Sequence, residues 1–96
     1  MINKREIQRS AQFKKDLKLS AKQGKDLTLA NQIITMLAND ILLPAKHRDH
    51  ALTGNWTGYR ECHITPDLLL VYRKTDNNRL LLLLLARIAS HSDLDF

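Results

Sequence analysis

Residues 56–88, WTGYRECHITPDLLLVYRKTDNNRLLLLLLARI, hold three apolar runs separated by two polar turns. The first run, Trp56 to Ile64, reads as a strand. With a period of two, Trp56, Gly58, Arg60, Cys62 and Ile64 share one face, while Thr57, Tyr59, Glu61 and His63 share the other. Thr65, Pro66 and Asp67 make a turn. Leu68 to Arg73 is the next strand, and its continuous apolar start implies cover on both faces. Asp76, Asn77 and Asn78 signal a second turn, without the glycine of the strongest hairpin pairs. Arg79 to Ile88 is the third strand. Its six consecutive leucines show no alternation, so period alone does not separate strand from buried helix. The short length and the flanking turns decide for strand. The three runs form an antiparallel meander.

N-terminal to it the period changes. Residues 2–9 alternate weakly and read as a short edge strand guarded by charge. Ser10 is a good N-cap, and Phe13, Leu17 and Ala21 recur every four residues on a helix that Gly24 closes in the C′ position. Asp26 can cap a second helix, Leu27 to about Asp40, whose Ala30, Ile33, Ile34, Leu37 and Ala38 again follow the 3.6 period. Pro44 ends the helical region. Two such helices cannot bury both stripes against each other alone, and the meander supplies the missing layer. The expected fold is α+β: an N-terminal strand and two antiparallel helices packed on a small antiparallel sheet, one domain spanning 1–96. The connection from Pro44 to Asn55 is long, polar and turn-rich, the kind of loop that more often carries function.

Ninety-six residues allow one modest core, burying about 60–65% of the unfolded surface. The net charge of +5 draws polyanions, an acidic protein or an anionic surface. Most of it lies before Asp26, where eight Lys or Arg stand against Glu6 and Asp16, a local +6. One cysteine, Cys62, excludes an intrachain disulfide framework and fits a reducing compartment. The opening MINKREIQRS has no apolar core, so no signal peptide is expected, and the longest apolar run, Leu80 to Ala86, is too short to cross a bilayer. These features lead to the expectation of a cytoplasmic protein with no membrane partner.

The candidate chemical groups are His50 in the loop, His63 near the end of a strand, Asp67 four residues later, and His91 beyond the innermost strand, with Arg87 four residues before it. A hairpin can bring His63 and Asp67 near each other, and a carboxylate beside an imidazole orients the ring for acid–base work. The same pair is also compatible with a half-exposed histidine beside an ordinary turn aspartate. His47 reads as an exposed neighbour. Zinc has suitable ligand types here, but the spacings 50, 63, 67 and 91 match no compact metal signature, so no metal and no other cofactor is expected. Cys62 faces with Trp56 and Ile64 and reads as core. Tyr59, Arg60 and Arg73 are candidates to hold RNA phosphate or stack on a base, and Lys14, Lys15, Lys18 and Lys22 form a basic helical face.

Three stretches carry a resemblance: SAQFKKDLKL at 10–19, RDHALTGNWTGYRECHITPDLLLVY at 48–72 and ARIASHSDLDF at 86–96. The pattern DHxLxGxWxGxRxxHxxPD within the second is the specific part. The chain resembles the YafQ-type toxins of bacterial type II toxin–antitoxin modules, within the RelE/ParE superfamily. The resemblance implies a ribosome-dependent endoribonuclease that cuts mRNA in the decoding site, is neutralised by a cognate antitoxin and is monomeric when free. It assigns His50, His63, Asp67 and His91 to the active site, with Arg87 as its basic residue and Phe96 near the tail aromatic of the pattern. Departures occur at Leu68, where the pattern carries tryptophan, at Ile88-Ala89, and at Asp95, which displaces Phe96 by one step.

The implied chemistry needs no metal. RNA carries its own nucleophile, and imidazoles near pKa 6.5 suit the proton transfers. On this reading His50 or Asp67 takes the 2′-hydroxyl proton, His91 protonates the leaving oxygen, His63 positions through Asp67, and Arg87 with Arg60 neutralises phosphate charge. The basic first helix would meet ribosomal RNA or an acidic antitoxin segment. A ParE-like toxin or a nucleic-acid-binding module without RNase activity stands as the alternative.

Overall fold

The computed structural model describes residues 3–24 and 27–87. Strand β1 (Glu6–Arg9) leads into helix α1 (Ala11–Lys22) and helix α2 (Thr28–Ala38). A 3-10 turn (Ala45–His47), the two-residue strand β2 (His50–Ala51) and a second 3-10 turn (Gly54–Trp56) follow. The meander is β3 (Arg60–Thr65), β4 (Leu68–Lys74) and β5 (Arg79–Arg87).

The five strands form one sheet in the order β1-β5-β4-β3-β2. The sheet is mixed rather than antiparallel throughout, because β1 runs parallel to β5, with Ile7 beside Leu80 and Arg9 beside Leu82. Hydrophobic period shows which side chains face inward but not the direction in which an edge strand is laid. Here the two helices provide the crossover that parallel pairing needs. Ser10 secures the corner. It accepts the Phe13 amide at 2.9 Å as the N-cap of α1, and its hydroxyl donates to the Leu83 carbonyl of β5.

Both helices pack on one face of the sheet. Phe13 from α1 and Ala30, Ile33, Ile34, Leu37 and Ala38 from α2 meet Cys62, Ile64, Leu68, Leu70, Tyr72, Leu80, Leu82 and Leu85. Phe13 is fully enclosed, and truncating it to alanine would cost about 3–5 kcal/mol. The leucine run lacks alternation for two reasons. A register shift after Val71 moves the inward set of β5 from Leu80 and Leu82 to Leu85. On the opposite face, moreover, Leu69 and Val71 are buried as well.

Helix α1 ends as expected, with Gly24 at φ 77° and its amide bonded to the Ala21 carbonyl at 3.1 Å. The expected cap of α2, Asp26, lies outside the described residues. Helix α2 stops at Ala38 because Asp40 turns into the left-handed region at φ 55°. There its carboxylate ties Arg5 at 2.8 Å and Lys74 at 2.9 Å. Trp56 belongs to a 3-10 turn and not to β3, which starts four residues later.

Candidate active site

Strand β2 is only two residues long, yet it sets His50 directly opposite Glu61 in the antiparallel register. The His50 Nε2 lies 3.3 Å from Glu61 Oε1, and its Nδ1 lies 2.6 Å from the Arg48 carbonyl. Both ring nitrogens therefore face acceptors. Arg48 makes this reversal by adopting φ 48°, a left-handed conformation that costs a non-glycine residue about 1–3 kcal/mol.

His63 follows Glu61 by two residues on the same strand, so both project away from Cys62 and Ile64 and the helical layer. Its Nε2 is 3.9 Å from the same Glu61 oxygen. Glu61 thus stands between two histidines with its side chain only 10% exposed, against 49% for His50 and 21% for His63. Burial pushes the His63 imidazole below its ordinary value; the Glu61 carboxylate pulls it back up, while Arg48 and His50 press it further down. The net effect favours the neutral ring.

The carboxylate that His63 faces is Glu61. Asp67 accepts the Thr65 hydroxyl at 2.7 Å within the β3–β4 turn. His47 is buried rather than exposed, and its ring Nδ1–H donates to the His63 carbonyl at 2.7 Å, steadying the backbone that carries His63. A cleft of about 540 Å³ opens beside His63, bordered by Lys46 and Arg48 and floored by Leu29, Ile64 and Pro66. Backbone register sets Leu69 and then Ala86 abreast of His63, with Arg87 beside Leu68 at the same end of the sheet. The side chain of Arg87, and His91 and Phe96 altogether, lie outside the described residues.

The expected RNA-contacting residues divide among three places. Arg60 is paired through its Nε with Asp49 at 3.2 Å, and Asp49 also accepts the buried Tyr72 hydroxyl at 2.5 Å. Tyr59 meets Trp56 edge-on with ring centroids 6.1 Å apart, and the exposed Arg73 guanidinium lies 5.8 Å from the Tyr59 ring centre. Lys14, Lys15, Lys18 and Lys22 are exposed on α1, in the layer across the sheet from Glu61 and His63. Cys62 is completely buried, and burial pushes its thiol up to about 12, in keeping with a core role.

Glu61 is the residue that the sequence reading passed over. Alternation had put it on the His63 face, but a glutamate between two strand positions reads as solvated until the short β2 places His50 over it. Among the described residues no three His, Cys, Asp or Glu side chains are gathered as a metal site. Two imidazoles sharing one buried carboxylate at the sheet edge, beside a cationic cleft, are suited to moving protons next to an anion.

Comparison with known proteins bears on what that anion is. Residues 5–95 match the family described as the bacterial toxin of type II toxin–antitoxin systems, YafQ. The chain is 42% identical over 91 residues to the mRNA interferase toxin YafQ of Escherichia coli K12, covering 94% of this chain and 95% of that protein. It superimposes on YafQ in the crystal structure of the E. coli DinJ–YafQ toxin–antitoxin complex with a TM-score of 0.82 at 37% identity, over 97% and 99% of the two chains. It also superimposes on a metal-bound toxin from Helicobacter pylori with a TM-score of 0.83 at 42% identity, over 94% and 98%.

Proposed function

Because the chain belongs to the YafQ family of type II toxin–antitoxin toxins, we propose that it is an endoribonuclease that cuts mRNA on the ribosome by metal-independent acid–base catalysis and is held inactive by a cognate antitoxin. The observation that carries this reading is the half-buried His63, linked to His50 through Glu61, at the rim of a cleft edged by Lys46 and Arg48. A cationic rim suits a phosphate. A neutral imidazole suits removal of a hydroxyl proton.

His63 takes the proton of the RNA 2′-hydroxyl, and the oxygen attacks the adjacent phosphorus. The bond from phosphorus to the 5′-oxygen breaks, and that oxygen leaves with a proton from His91. The products are a 2′,3′-cyclic phosphate and a 5′-hydroxyl. His50 is less suited to the base role first considered for it, because neither ring nitrogen has a lone pair directed at open space. It serves instead to hold the Glu61 carboxylate beside His63, and Arg87 stabilises the crowded phosphorane. Asp67 orders the β3–β4 turn through Thr65. The half-buried Tyr59 and the exposed Arg73 beside it offer a platform for a neighbouring nucleotide.

The lysine face of α1 lies away from this chemistry. We assign it to ribosomal RNA, where phosphate contacts give affinity without reading sequence, and competition for it by an acidic antitoxin segment is the proposed mode of neutralisation. The test is cleavage of a defined message by purified protein with and without translating ribosomes, using wild type, His50→Ala, His63→Ala and His91→Ala. Cleavage by wild type only, and only on ribosomes, is expected. Full cleavage by all three variants overturns the mechanism, and a wild type that binds but cuts nothing overturns the nuclease assignment.

A further inference from the structure

A buried glutamate whose second oxygen has no partner is costly, because that oxygen has lost its water without gaining a hydrogen bond. Glu61 is 7% exposed, and its Oε2 is buried with no hydrogen-bond partner among the described residues. Its surroundings are apolar on one side: Val71 lies opposite in β4 and Leu84 beyond it in β5, while the next row is His63, Leu69 and Ala86. A residue chosen for stability alone would be valine or leucine here. What the carboxylate does have is Oε1, 3.3 Å from His50 Nε2 and 3.9 Å from His63 Nε2.

Resting on the nuclease reading above, we propose that Glu61 is a positioning residue of the active site, whose Oε1 anchors the His50 ring and sets a negative charge beside the His63 ring, so that the two imidazoles keep one relative placement and His63 keeps its acid–base strength. The His50 ring is held at both ends, by the Arg48 carbonyl at 2.6 Å and by Glu61 at 3.3 Å. Glu61 itself does not meet the substrate. Its charge stands 3.3 Å from the His50 ring and 3.9 Å from the His63 ring.

The other charged groups nearby are otherwise engaged. Arg48 approaches from the loop before β2 and depresses His63. His47, from the first 3-10 turn, donates to the His63 backbone, and Asp67, across the hairpin, accepts from Thr65. Asp49 is committed to Arg60 and Tyr72. The residues of β4 and β5 that flank Glu61 and His63 in register are apolar. Glu61 acts on His63 as a close carboxylate, and it acts to raise it.

The decisive variant is Glu61→Gln, which keeps size and hydrogen-bonding shape and removes the charge. Nuclear magnetic resonance titration of the histidine ring protons in wild type and variant reads the link directly, in the free protein. The His63 midpoint should fall further in E61Q. Single-turnover cleavage should slow at least about tenfold, with the acid limb of its pH profile displaced downward in step with the His63 midpoint. Glu61→Asp should recover part of both. An E61Q protein that is slower but has the same His63 midpoint and the same limb shows a structural role only and overturns the proposal, as does one with unchanged rate. If E61Q does not fold, the comparison rests on E61D, whose His63 midpoint must differ from wild type for the proposal to stand. A wild type that cuts no message overturns the nuclease reading, and with it the catalytic use of Glu61. A wild type that cuts, beside a variant with an unmoved midpoint, overturns Glu61 alone.

Discussion

Replacing Tyr72 with phenylalanine removes one oxygen from the centre of the fold and tests how His50 is held. Tyr72 is fully buried in β4, and its hydroxyl donates to Asp49 Oδ1 at 2.5 Å. Asp49 adjoins His50 and has one further tie, to Arg60 Nε at 3.2 Å. A hydrogen bond to a charged acceptor is worth about 1.5–3 kcal/mol. The Asp49 side chain is 24% exposed, so water can reach the freed lone pair and the lower part of that range applies. We expect a loss of about 1.5–2 kcal/mol. With a urea dependence of about 1.2 kcal/mol/M for a chain of this size, the midpoint of urea unfolding should drop by about 1.5 M at unchanged slope. Circular dichroism during a urea titration at pH 7 measures it. A loss under about 0.5 kcal/mol would show that Asp49 is held by Arg60 alone and that the Tyr72 hydroxyl has no part in fixing the loop that delivers His50.

Other expectations follow from groups away from the site. Cys62 should resist iodoacetamide at pH 8 in the native protein and react only once urea unfolds it, since burial holds its thiol near about 12; rapid native labelling would contradict the packed core. Hydrogen bonds from Lys74 and then Arg5 lower the Asp40 carboxyl from 3.8 to about 2, so its contribution is present above about pH 4 and fades as pH falls toward 2. Because that carboxylate is exposed, Asp40→Asn should cost under about 1 kcal/mol at pH 7, and the difference from wild type should shrink to a small fraction of that as pH falls to 2. For His63 the sign is opposite in origin: with its folded value depressed, stability is intact above about pH 6.5 and declines as pH falls below it. His63→Gln should remove that part of the acid sensitivity, read as the pH dependence of urea midpoints.

Much of the architecture could be read from local chemistry. Ser10 and Gly24 bracket α1, and the Thr65-Pro66-Asp67 and Asp76-Asn77-Asn78 turns cut the leucine-rich half into strands, with Asn78 taking φ 61° where a glycine would be usual. The parallel pairing of β1 was not legible, since alternation carries no sense of direction. Nor was β2, because two residues are too few for any period, and the loop around them is polar throughout. That single omission hid the site's centre. Without β2 nothing brings His50 over Glu61, and nearness in the sequence pairs His63 with Asp67 instead. His47 was misread for a similar reason: a histidine in a charged loop gives no sign that its ring reaches the backbone of β3.

The central claim is that imidazoles close a cyclic phosphate on the RNA without a metal ion. The direct measurement is the chemical state of the cut ends of a message cleaved on translating ribosomes, with the purified protein first stripped of metal by chelation. The account predicts a 2′,3′-cyclic phosphate on one fragment and a 5′-hydroxyl on the other, formed by wild type and absent with His63→Ala. Fragments carrying a 3′-hydroxyl and a 5′-phosphate, or cleavage that disappears on chelation and returns with added metal, would contradict it.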